Sequence, residues 1–482
     1  MDRRVTAMRS AEVTGMPPGV VAAATPGAAD VAARLPAAQA VTSASVEGAV
    51  SWRQDWRRWL HLGSQGGWAI ADQALFAGSN LAVNVLLARW LPGAEYGAFV
   101  TAYTVLLLVQ IAHAALLIEP LLIFGADRHR TAFSHYYEVL CAYHWKVMVV
   151  ASGCLALVAA AVALWVDLLV GEAIAGLAVT APFILLSWLA RRGCLGASKP
   201  HLAAFGGAIN FAAVLAGLWL LTRLDWLNVF SAQLLIGAAA VVTTLCMQPA
   251  LRRLTRQPLS DTARARVWAD HWAYARWSGA TGALTWFYSF VYYLVLPRWY
   301  GLAASGVLKA LLNLITPITH SDGALVTLLL PQFVRSRRVP GRFRRIVTVT
   351  TCGFMLESAC YWLMLVLFGE RLSAMLYGNT FHFDHVSMLL VGVIPPLGSL
   401  ANILGNALRA REEPDGVFWA TIAAVAVAST LGVSAVYVAG VAGAIVGMAA
   451  SGVVQVGVMS WLLLRHRETA RVNARTADVV HA

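Results

Sequence analysis

Charged residues are scarce in this sequence, and their scarcity excludes most protein classes. Only 12% of the 482 residues are Asp, Glu, Lys or Arg, whereas 59% are hydrophobic and the mean hydropathy is +0.66. Soluble globular domains carry about 25% charged residues. The composition therefore excludes a soluble protein and indicates a multi-pass integral membrane protein.

Motifs for catalysis and metal binding are also lacking. The six cysteines have no CxxC or zinc-like spacing, so no disulfide or metal site is predicted; they are Cys141, Cys154, Cys194, Cys246, Cys352 and Cys360. The sequence has no P-loop, HExxH or nucleophile elbow. We therefore do not expect an enzyme. An ATP-driven pump is expected only if a partner protein supplies the ATP-hydrolysing motor. A membrane glycan polymerase or ligase is the rival enzyme class, but it needs a large outside loop, and the outside loops here are short.

Basic residues outnumber acidic ones, and the net charge is +12. A nucleic-acid-binding protein would gather these residues on a soluble domain, but here they occur in short loops between apolar segments. No nucleic-acid partner is expected.

Apolar segments long enough to cross a membrane dominate the chain. A helix needs about 20 mostly apolar residues to cross the hydrocarbon layer. Twelve spans are predicted, near residues 66–88, 98–124, 146–166, 173–190, 201–222, 228–250, 275–296, 301–330, 346–367, 386–407, 417–438 and 441–463. The predicted fold is therefore an all-α integral membrane protein.

The positions of Lys and Arg predict the orientation. With the N-terminus inside, 31 of the 36 lie in tails and cytoplasmic loops, while Lys309 lies within a span and four lie in outside loops: Arg89, Arg223, Arg298 and Arg371. Basic loops favour the cytoplasmic side. The sequence predicts an N-in, C-in topology.

The segments outside the spans complete the predicted organisation. Residues 1–50 lack hydrophobic periodicity and predict a disordered tail. Trp52, Trp56 and Trp59 recur at helical spacing beside three arginines, which predicts an interfacial amphipathic helix at 51–63, or an ordinary juxtamembrane anchor. The other predicted parts are an N-lobe at 64–250, a cytoplasmic inter-lobe linker at 251–274, a C-lobe at 275–464 and a cytoplasmic C-terminal tail at 465–482.

A weak internal repeat relates the two halves of the chain. The matches, in order, are Arg89-Trp90 with Arg298-Trp299, Gly97 with Gly306, Pro120 with Pro331, and Pro200 with Pro414. Ordered matches with slowly growing offsets indicate two six-helix lobes of the same orientation. Such a transporter places its substrate cavity between the lobes, and the Arg and Gly pairs form a periplasmic hairpin motif in each lobe.

The run from Asn84 to Phe99, NVLLARWLPGAEYGAF, resembles the first hairpin of bacterial Wzx-type polysaccharide flippases, in the multidrug/oligosaccharidyl-lipid/polysaccharide (MOP) exporter superfamily. The turns at 195–200 and 408–414 are similar to that family's loops after spans four and ten. The resemblance implies a V-shaped pair of lobes in the bacterial inner membrane, among membrane lipids. It also implies transport of undecaprenyl-diphosphate-linked glycans to the outer leaflet, beside a polysaccharide polymerase and export machinery. Glu119-Pro120 and the long eighth span depart from the family pattern, which leaves the glycan open.

Polar residues interrupt span one on a single helical face. Asp72, Asn80 and Asn84 are spaced by 8 and 4, so they point at protein or water and not at lipid. Asn80 and Asn84 are predicted to line the substrate cavity. Asp72, near the cytoplasmic end, is predicted to bind a coupling H⁺ or Na⁺ or to form a gate; a structural carboxylate at the interface is the alternative.

Span eight carries the densest polar constellation. Lys309, Asn313, Thr316 and His320 are spaced by 4, 3 and 4, which predicts a single stripe on this helix. Such a stripe is either a hydrogen-bonded seam between lobes or a cavity wall. The ammonium of Lys309 favours a cavity wall that holds an anionic diphosphate. A kink is predicted near Pro317.

The remaining site candidates are ionisable residues near the cytoplasmic side or within spans. Arg276 is predicted to attract the diphosphate from the cytosol. Asp322, Glu357 and Glu119 are candidates for ion coupling or a gate, although a structural or interfacial role is the alternative for the two glutamates. No cofactor is predicted beyond a possible coupling H⁺ or Na⁺.

These observations predict a flippase that moves a lipid-linked polysaccharide repeat unit outward by alternating access. The alternative is a cation-coupled multidrug exporter of the same superfamily. The sign of the charges in the cavity discriminates between them.

Overall fold

A computed structural model of the chain describes residues 67–480 except 69, 126, 255–256, 323–332, 334–335, 337–338, 379, 382, 384 and 412. After residue 465 it describes the backbone alone. The predicted N-terminal tail and interfacial helix lie outside the described residues, as does Pro331.

The first half of the described chain forms six helices. They are α1 (Ile70–Trp90), α2 (Gly93–Phe124), α3 (Phe133–Trp165), α4 (Leu168–Gly196), α5 (Pro200–Arg223) and α6 (Val229–Arg252). A π-helical turn at Ala114–Ile118 interrupts α2 just before Pro120. We call these six helices the N-lobe.

The second half begins with a helix that extends well beyond its predicted span. Its helices are α7 (Asp261–Tyr300), α8 (Leu302–Asn313), α9 (Thr316–Asp322), α10 (Pro340–Tyr377), α11 (His385–Val391), α12 (Ile394–Ala410), α13 (Pro414–Val427) and α14 (Val433–Val480). A π-helical turn, Ala428–Gly432, joins α13 to α14. We call these helices the C-lobe, and the described part of the chain contains no strand.

The helices account for the twelve predicted spans. Nine segments of the described chain are long and apolar enough to cross a membrane, and the bent pair α8 and α9 forms a tenth. One of the nine, Asp415–Arg465, contains two spans because Gly440 has a non-helical backbone with φ 57°. The remaining span is α7, whose 40 residues are ample for a crossing. The all-α, twelve-span fold is confirmed.

The lobes meet where α2 crosses α8, and two glycines allow the close approach. A Cβ on Gly97 would lie 1.9 Å from the carbonyl oxygen of Leu302, and a Cβ on Gly306 would lie 2.9 Å from the Tyr96 ring. Small residues let helix backbones approach closely in membrane proteins. The repeated glycines of the hairpin motif therefore lie together at one crossing, whereas Arg89 and Arg298 are exposed.

The proline pair of the repeat has matching local geometry. Pro200 opens α5 and Pro414 opens α13. The residue before each proline has nearly the same backbone: Lys199 has φ −120° and ψ 58°, and Glu413 has φ −114° and ψ 58°. Proline has a fixed φ and is favoured in the first helical turn. The two halves thus start corresponding helices in the same way.

Candidate functional site

Each lobe encloses a cavity. The N-lobe cavity has a volume of about 160 Å³ and is lined by α1, α2, α4, α5 and α6. The C-lobe cavity has a volume of about 570 Å³ and is lined by α7, α8, α9, α12, α13 and α14. The larger volume falls within the range of about 300–1,000 Å³ that is typical of small-molecule sites.

Asn80 and Asn84 both line the N-lobe cavity. The Asn84 amide donates to Asn80 Oδ1 at 2.9 Å, and the Tyr103 hydroxyl donates to the same oxygen at 3.2 Å. Because α1 carries both amides on one face, as the spacing predicts, a single hydroxyl from α2 is enough to fix them. The polar wall of this cavity is therefore an ordered network.

Tyr103 also links the two cavities. It lines the N-lobe cavity, and the Lys309 ammonium, which lines the C-lobe cavity, lies 5.4 Å from the centroid of its ring. A cation over an aromatic face is attracted by the ring quadrupole. Nothing in the sequence pattern marked Tyr103 as a site residue, since an aromatic residue in an apolar span usually packs against other helices. The structure shows that it joins Lys309 to Asn80 across the lobe boundary.

The predicted continuous stripe on span eight is wrong. The chain bends by 54° between α8 and α9, where Leu314 and Ile315 bond to carbonyls three residues back. Pro317 lacks the N–H that would have bonded to the Asn313 carbonyl, so the helix breaks just before it. The break changes the register of the residues that follow.

The break separates the four residues of the stripe. Lys309 and Thr316 line the C-lobe cavity, but the buried Asn313 amide donates to the Tyr96 hydroxyl at 3.4 Å, in the junction between the lobes. His320 is half-buried and is not among the described residues that line either cavity. The stripe thus divides into a cavity wall and a seam.

The C-lobe cavity combines cations with aromatic, hydroxyl and amide groups. Lys309 and Arg409 are its charged lining residues in the described chain. The Tyr288 hydroxyl donates to Gln455 Oε1 at 3.3 Å, and the Gln455 amide donates to Thr421 Oγ1 at 3.5 Å. Such a lining can hold an anion and a polar, ring-containing group together.

Asp72 is held in an ion pair that the sequence did not reveal. Arg191, on α4, donates from Nε to Asp72 Oδ1 at 2.6 Å and from Nη2 to Oδ2 at 2.8 Å. The Asp72 and Arg191 side chains are only 2% and 6% exposed. The guanidinium also lies 4.2 Å from the centroid of the Phe76 ring. Span four was predicted to end at residue 190, which placed Arg191 in a loop; α4 instead continues to Gly196.

The other predicted carboxylates contact serine hydroxyls. Asp322 is buried and accepts from Ser399, while Glu357 accepts from Ser321 at 3.0 Å. Glu119 accepts from Ser278 at 2.6 Å, which joins α2 to α7. A hydroxyl satisfies a carboxylate oxygen without neutralising its charge. None of these three carboxylates is among the described residues that line the two cavities.

Arg276 is not among the described residues that line the two cavities. Its side chain is exposed on α7, and its guanidinium lies 5.8 Å from the centroid of the Trp277 ring. The contacts of Arg276 therefore give no support to its predicted role in attracting the diphosphate to a cavity.

The start of α7, before its predicted span at 275–296, is attached to the N-lobe by His271. Its Nδ1 lies 2.6 Å from the carbonyl oxygen of Leu116, in the π-turn of α2, and its Nε2 lies 2.7 Å from the Tyr136 hydroxyl. Burial lowers the pKa of His271, although the Leu116 carbonyl and Asp270 act in the opposite direction. The neutral ring thus donates to Leu116 and accepts from Tyr136.

The residues that line the two cavities in the described chain and carry a charge at neutral pH are all basic: Arg191, Lys309 and Arg409. In the N-lobe cavity, the charge of Arg191 is neutralised by Asp72. In the C-lobe cavity, Lys309 and Arg409 supply a positive charge. The cavities offer an environment for an anionic, amphiphilic molecule.

Comparison with known proteins gives fold similarity only. No family model matches the chain, and no curated protein matches it. Among solved structures, an inward-facing multidrug resistance MATE family transporter of the MOP superfamily is similar, with a TM-score of 0.65, 13% identity, and coverage of 84% of this chain and 99% of that one. The outward-facing conformation of such a transporter has a TM-score of 0.58, 13% identity, and coverage of 84% and 95%. The chain has the fold of MOP-superfamily transporters.

A third similar structure bears on the polarity of the cavity. It is a MOP superfamily transporter from Pyrococcus furiosus, for which a reversed polarity of the binding pocket suggests a different function. Its TM-score is 0.54 with 12% identity, and the match covers 84% of this chain and 92% of that one. Pocket polarity therefore differs between proteins with this MOP fold. The fold alone does not determine the charge of the substrate, which depends on the residues that line the cavities.

Proposed function

We propose that this chain is a transporter that moves an anionic, lipid-linked glycan from the cytoplasmic to the outer leaflet of the bacterial inner membrane. It works by alternating access between the N-lobe and the C-lobe, with both termini in the cytoplasm. The observation that supports this proposal most strongly is the charge of the cavities, whose described charged lining residues are all basic.

The position of Lys309 suits this task. It is half-buried at the lobe boundary, over Tyr103 of the N-lobe and within the C-lobe cavity. At about 4 Å and an effective dielectric constant near 20, a unit charge pair is worth about 4 kcal/mol. An ammonium here can hold a diphosphate, and separation of the lobes removes its contact with Tyr103.

The membrane potential can assist the transport. An inside-negative potential favours outward movement of negative charge by about 2.3 kcal/mol per charge per 100 mV. A substrate with two negative charges on its diphosphate therefore needs no coupling ion in principle. This agrees with the pairing of Asp72 with Arg191, which leaves that carboxylate without a free charge for a coupling cation.

A second candidate is multidrug export. The similar MATE structures are described as multidrug resistance transporters, and the N-lobe cavity has an aromatic wall that includes Phe76, Phe99, Tyr103 and Trp188. Aromatic walls bind flat, apolar drugs. A cationic drug would also need a carboxylate partner, which the described lining of both cavities lacks.

Replacement of Lys309 discriminates between the two candidates. Lys309→Met should abolish export of the surface polymer and leave resistance to cationic dyes unchanged, whereas Lys309→Arg should retain most export. Lys199→Met, in the exposed loop before α5, is the matched control and should export normally. Normal polymer in cells that lack the protein, together with sensitivity to cationic dyes, would refute the flippase proposal.

A further inference from the structure

Threonine hydroxyls form much of the polar wall of the C-lobe cavity. Five threonines of the described chain line this cavity: Thr281 and Thr285 on α7, Thr316 and Thr319 on α9, and Thr421 on α13. The four on α7 and α9 are exposed or half-buried, whereas Thr421 is buried and accepts from Gln455. We call those four residues of α7 and α9 the threonine rows.

The hydrogen of each of these hydroxyls is already used. All five threonines donate it to a carbonyl oxygen three or four residues earlier in the chain, at distances between 2.8 and 3.2 Å. Such a bond satisfies the donor of a threonine within its own helix. The oxygen keeps its two lone pairs. The threonine rows therefore present hydrogen-bond acceptors to the cavity.

A wall of acceptors selects a ligand that donates hydrogen bonds. The oxygens of a phosphate diester only accept, so a diphosphate is bound by Lys309 and Arg409 and not by the threonine rows. A cationic donor such as an amine would be repelled by the same two charges. The lining therefore suits a neutral group with several O–H donors, and a sugar is such a group.

The threonine rows begin close to Lys309. The Ser305 hydroxyl of α8 donates to the Tyr293 carbonyl of α7 at 2.9 Å, which fixes where the two antiparallel helices lie side by side. Lys309, one turn after Ser305, is therefore level with a point one turn before Tyr293. Thr285 and Thr281 lie about 6 and 12 Å from that point, toward the start of α7, at 1.5 Å per residue. A ligand whose phosphate is held by Lys309 thus has its neighbouring groups beside the threonine rows.

We propose that the threonine rows form a subsite for the sugar next to the phosphate held by Lys309, with the threonine oxygens accepting hydrogen bonds from the sugar hydroxyls. The subsite rests on the proposed function and deepens it, because it names residues that contact the glycan and not the diphosphate. In the proposed topology the start of α7 is cytoplasmic. The sugar thus lies on the cytoplasmic side of the phosphate, as it does in a lipid-linked glycan of the inner leaflet.

The test measures the binding of two synthetic probes to the purified full-length protein. One probe is citronellyl diphosphate with a glucose on its terminal phosphate, and the other carries a methyl group in place of the glucose, so both have two negative charges. A polyoxyethylene detergent is used, because a detergent with a sugar headgroup would compete for the subsite. The wild type should bind the glucose probe about tenfold or more tightly than the methyl probe, since several hydrogen bonds are added.

Single substitutions in the threonine rows test which side chains bind the sugar. Thr285→Val and Thr319→Val should each reduce the preference for the glucose probe by about twofold to tenfold, because one hydrogen bond is lost. Their affinity for the methyl probe should not change, which also shows that they are folded. Thr285→Ser and Thr319→Ser keep the hydroxyl and should keep the preference.

The matched control is Thr222→Val on α5. The Thr222 hydroxyl also donates to a carbonyl of its own helix, that of Leu218, but Thr222 is not among the described residues that line the two cavities. This variant should bind both probes as the wild type does.

Two outcomes would overturn the subsite: equal affinity of the wild type for the two probes, or a preference that Thr285→Val and Thr319→Val leave unchanged. Both are compatible with transport of a lipid diphosphate. The binding role of Lys309 is judged separately, because Lys309→Met should lose affinity for both probes. If Lys309→Met binds both probes as the wild type does, that role is refuted, while the preference for glucose can still be measured. The two proposals can therefore fail separately.

Discussion

The buried pair between Asp72 and Arg191 leads to a prediction that contrasts with the role the sequence suggested. If Asp72 were an ion-coupling carboxylate, Asp72→Asn should leave the stability of the protein unchanged and remove only the dependence of transport on the ion. The structure instead shows two contacts of 2.6 and 2.8 Å between side chains that are almost completely buried. Asp72→Asn should therefore leave the Arg191 charge without compensation inside the membrane.

The size of this effect follows from the burial. Removing one partner of a buried ion pair costs about 3–5 kcal/mol, whereas removing both charges costs far less. We expect Asp72→Asn and Arg191→Gln each to lower the free energy of unfolding by about that amount. The double variant should recover a large part of the loss, so that the coupling energy is about 2 kcal/mol or more.

The assay is a double-mutant cycle on purified protein in detergent, with unfolding followed by temperature or denaturant. Transport into proteoliposomes is measured in parallel under a membrane potential, with and without an H⁺ or Na⁺ gradient. If Asp72→Asn is as stable as the wild type but transport no longer responds to the gradient, the structural interpretation is refuted and Asp72 is a coupling carboxylate.

Three further predictions concern the lobe junction, the topology and pH. Gly97→Ala should lower the free energy of unfolding by about 1–3 kcal/mol and impair transport, because its Cβ would overlap a carbonyl oxygen of α8. Gly153→Ala, whose Cβ would meet nothing within 4 Å, should leave the stability unchanged in the same thermal unfolding assay. A reporter fused after Arg338 should score cytoplasmic and one fused near Gly378 periplasmic, and cytoplasmic scores at both would contradict the orientation. Because burial lowers the folded-state pKa of His271, its stabilising effect should be present above about pH 6.5 and be lost as the pH falls. The acid-induced drop in melting temperature should be smaller in His271→Asn, and an equal drop would exclude the histidine as its cause.

The fold was predictable because the features that define it are local in sequence. Span length, loop charge and the repeated Arg-Trp and glycine pattern depend on consecutive residues and on spacings of a few turns. Gly97 and Gly306 were found as a repeat, and the crossing of α2 and α8 gives the physical reason for that pattern. Their contact was not predictable, since nothing in the spacing says that two repeated glycines touch.

The candidate site was predictable only in part, because it depends on contacts between distant segments. Polar and charged side chains are energetically unfavourable inside a membrane, which suggested that Asn80, Asn84 and Lys309 face a cavity. All three do line cavities. Arg191 was missed because α4 extends six residues beyond its predicted end, and only the partner on α1 makes burial of that charge tolerable. The stripe on span eight failed because a helical wheel assumes an unbroken helix.

The glycine crossing between α2 and α8 has a mechanical consequence. Contact between two backbones permits little sliding but allows rotation, so this point can serve as a fulcrum. From Gly97 to Phe124, α2 extends about 40 Å at 1.5 Å per residue. A rotation of about 15°, the size seen when subunits of allosteric proteins turn, would carry the far end of α2 through about 10 Å. A small angular change at a tightly packed crossing would thus open a wide passage at the opposite membrane face.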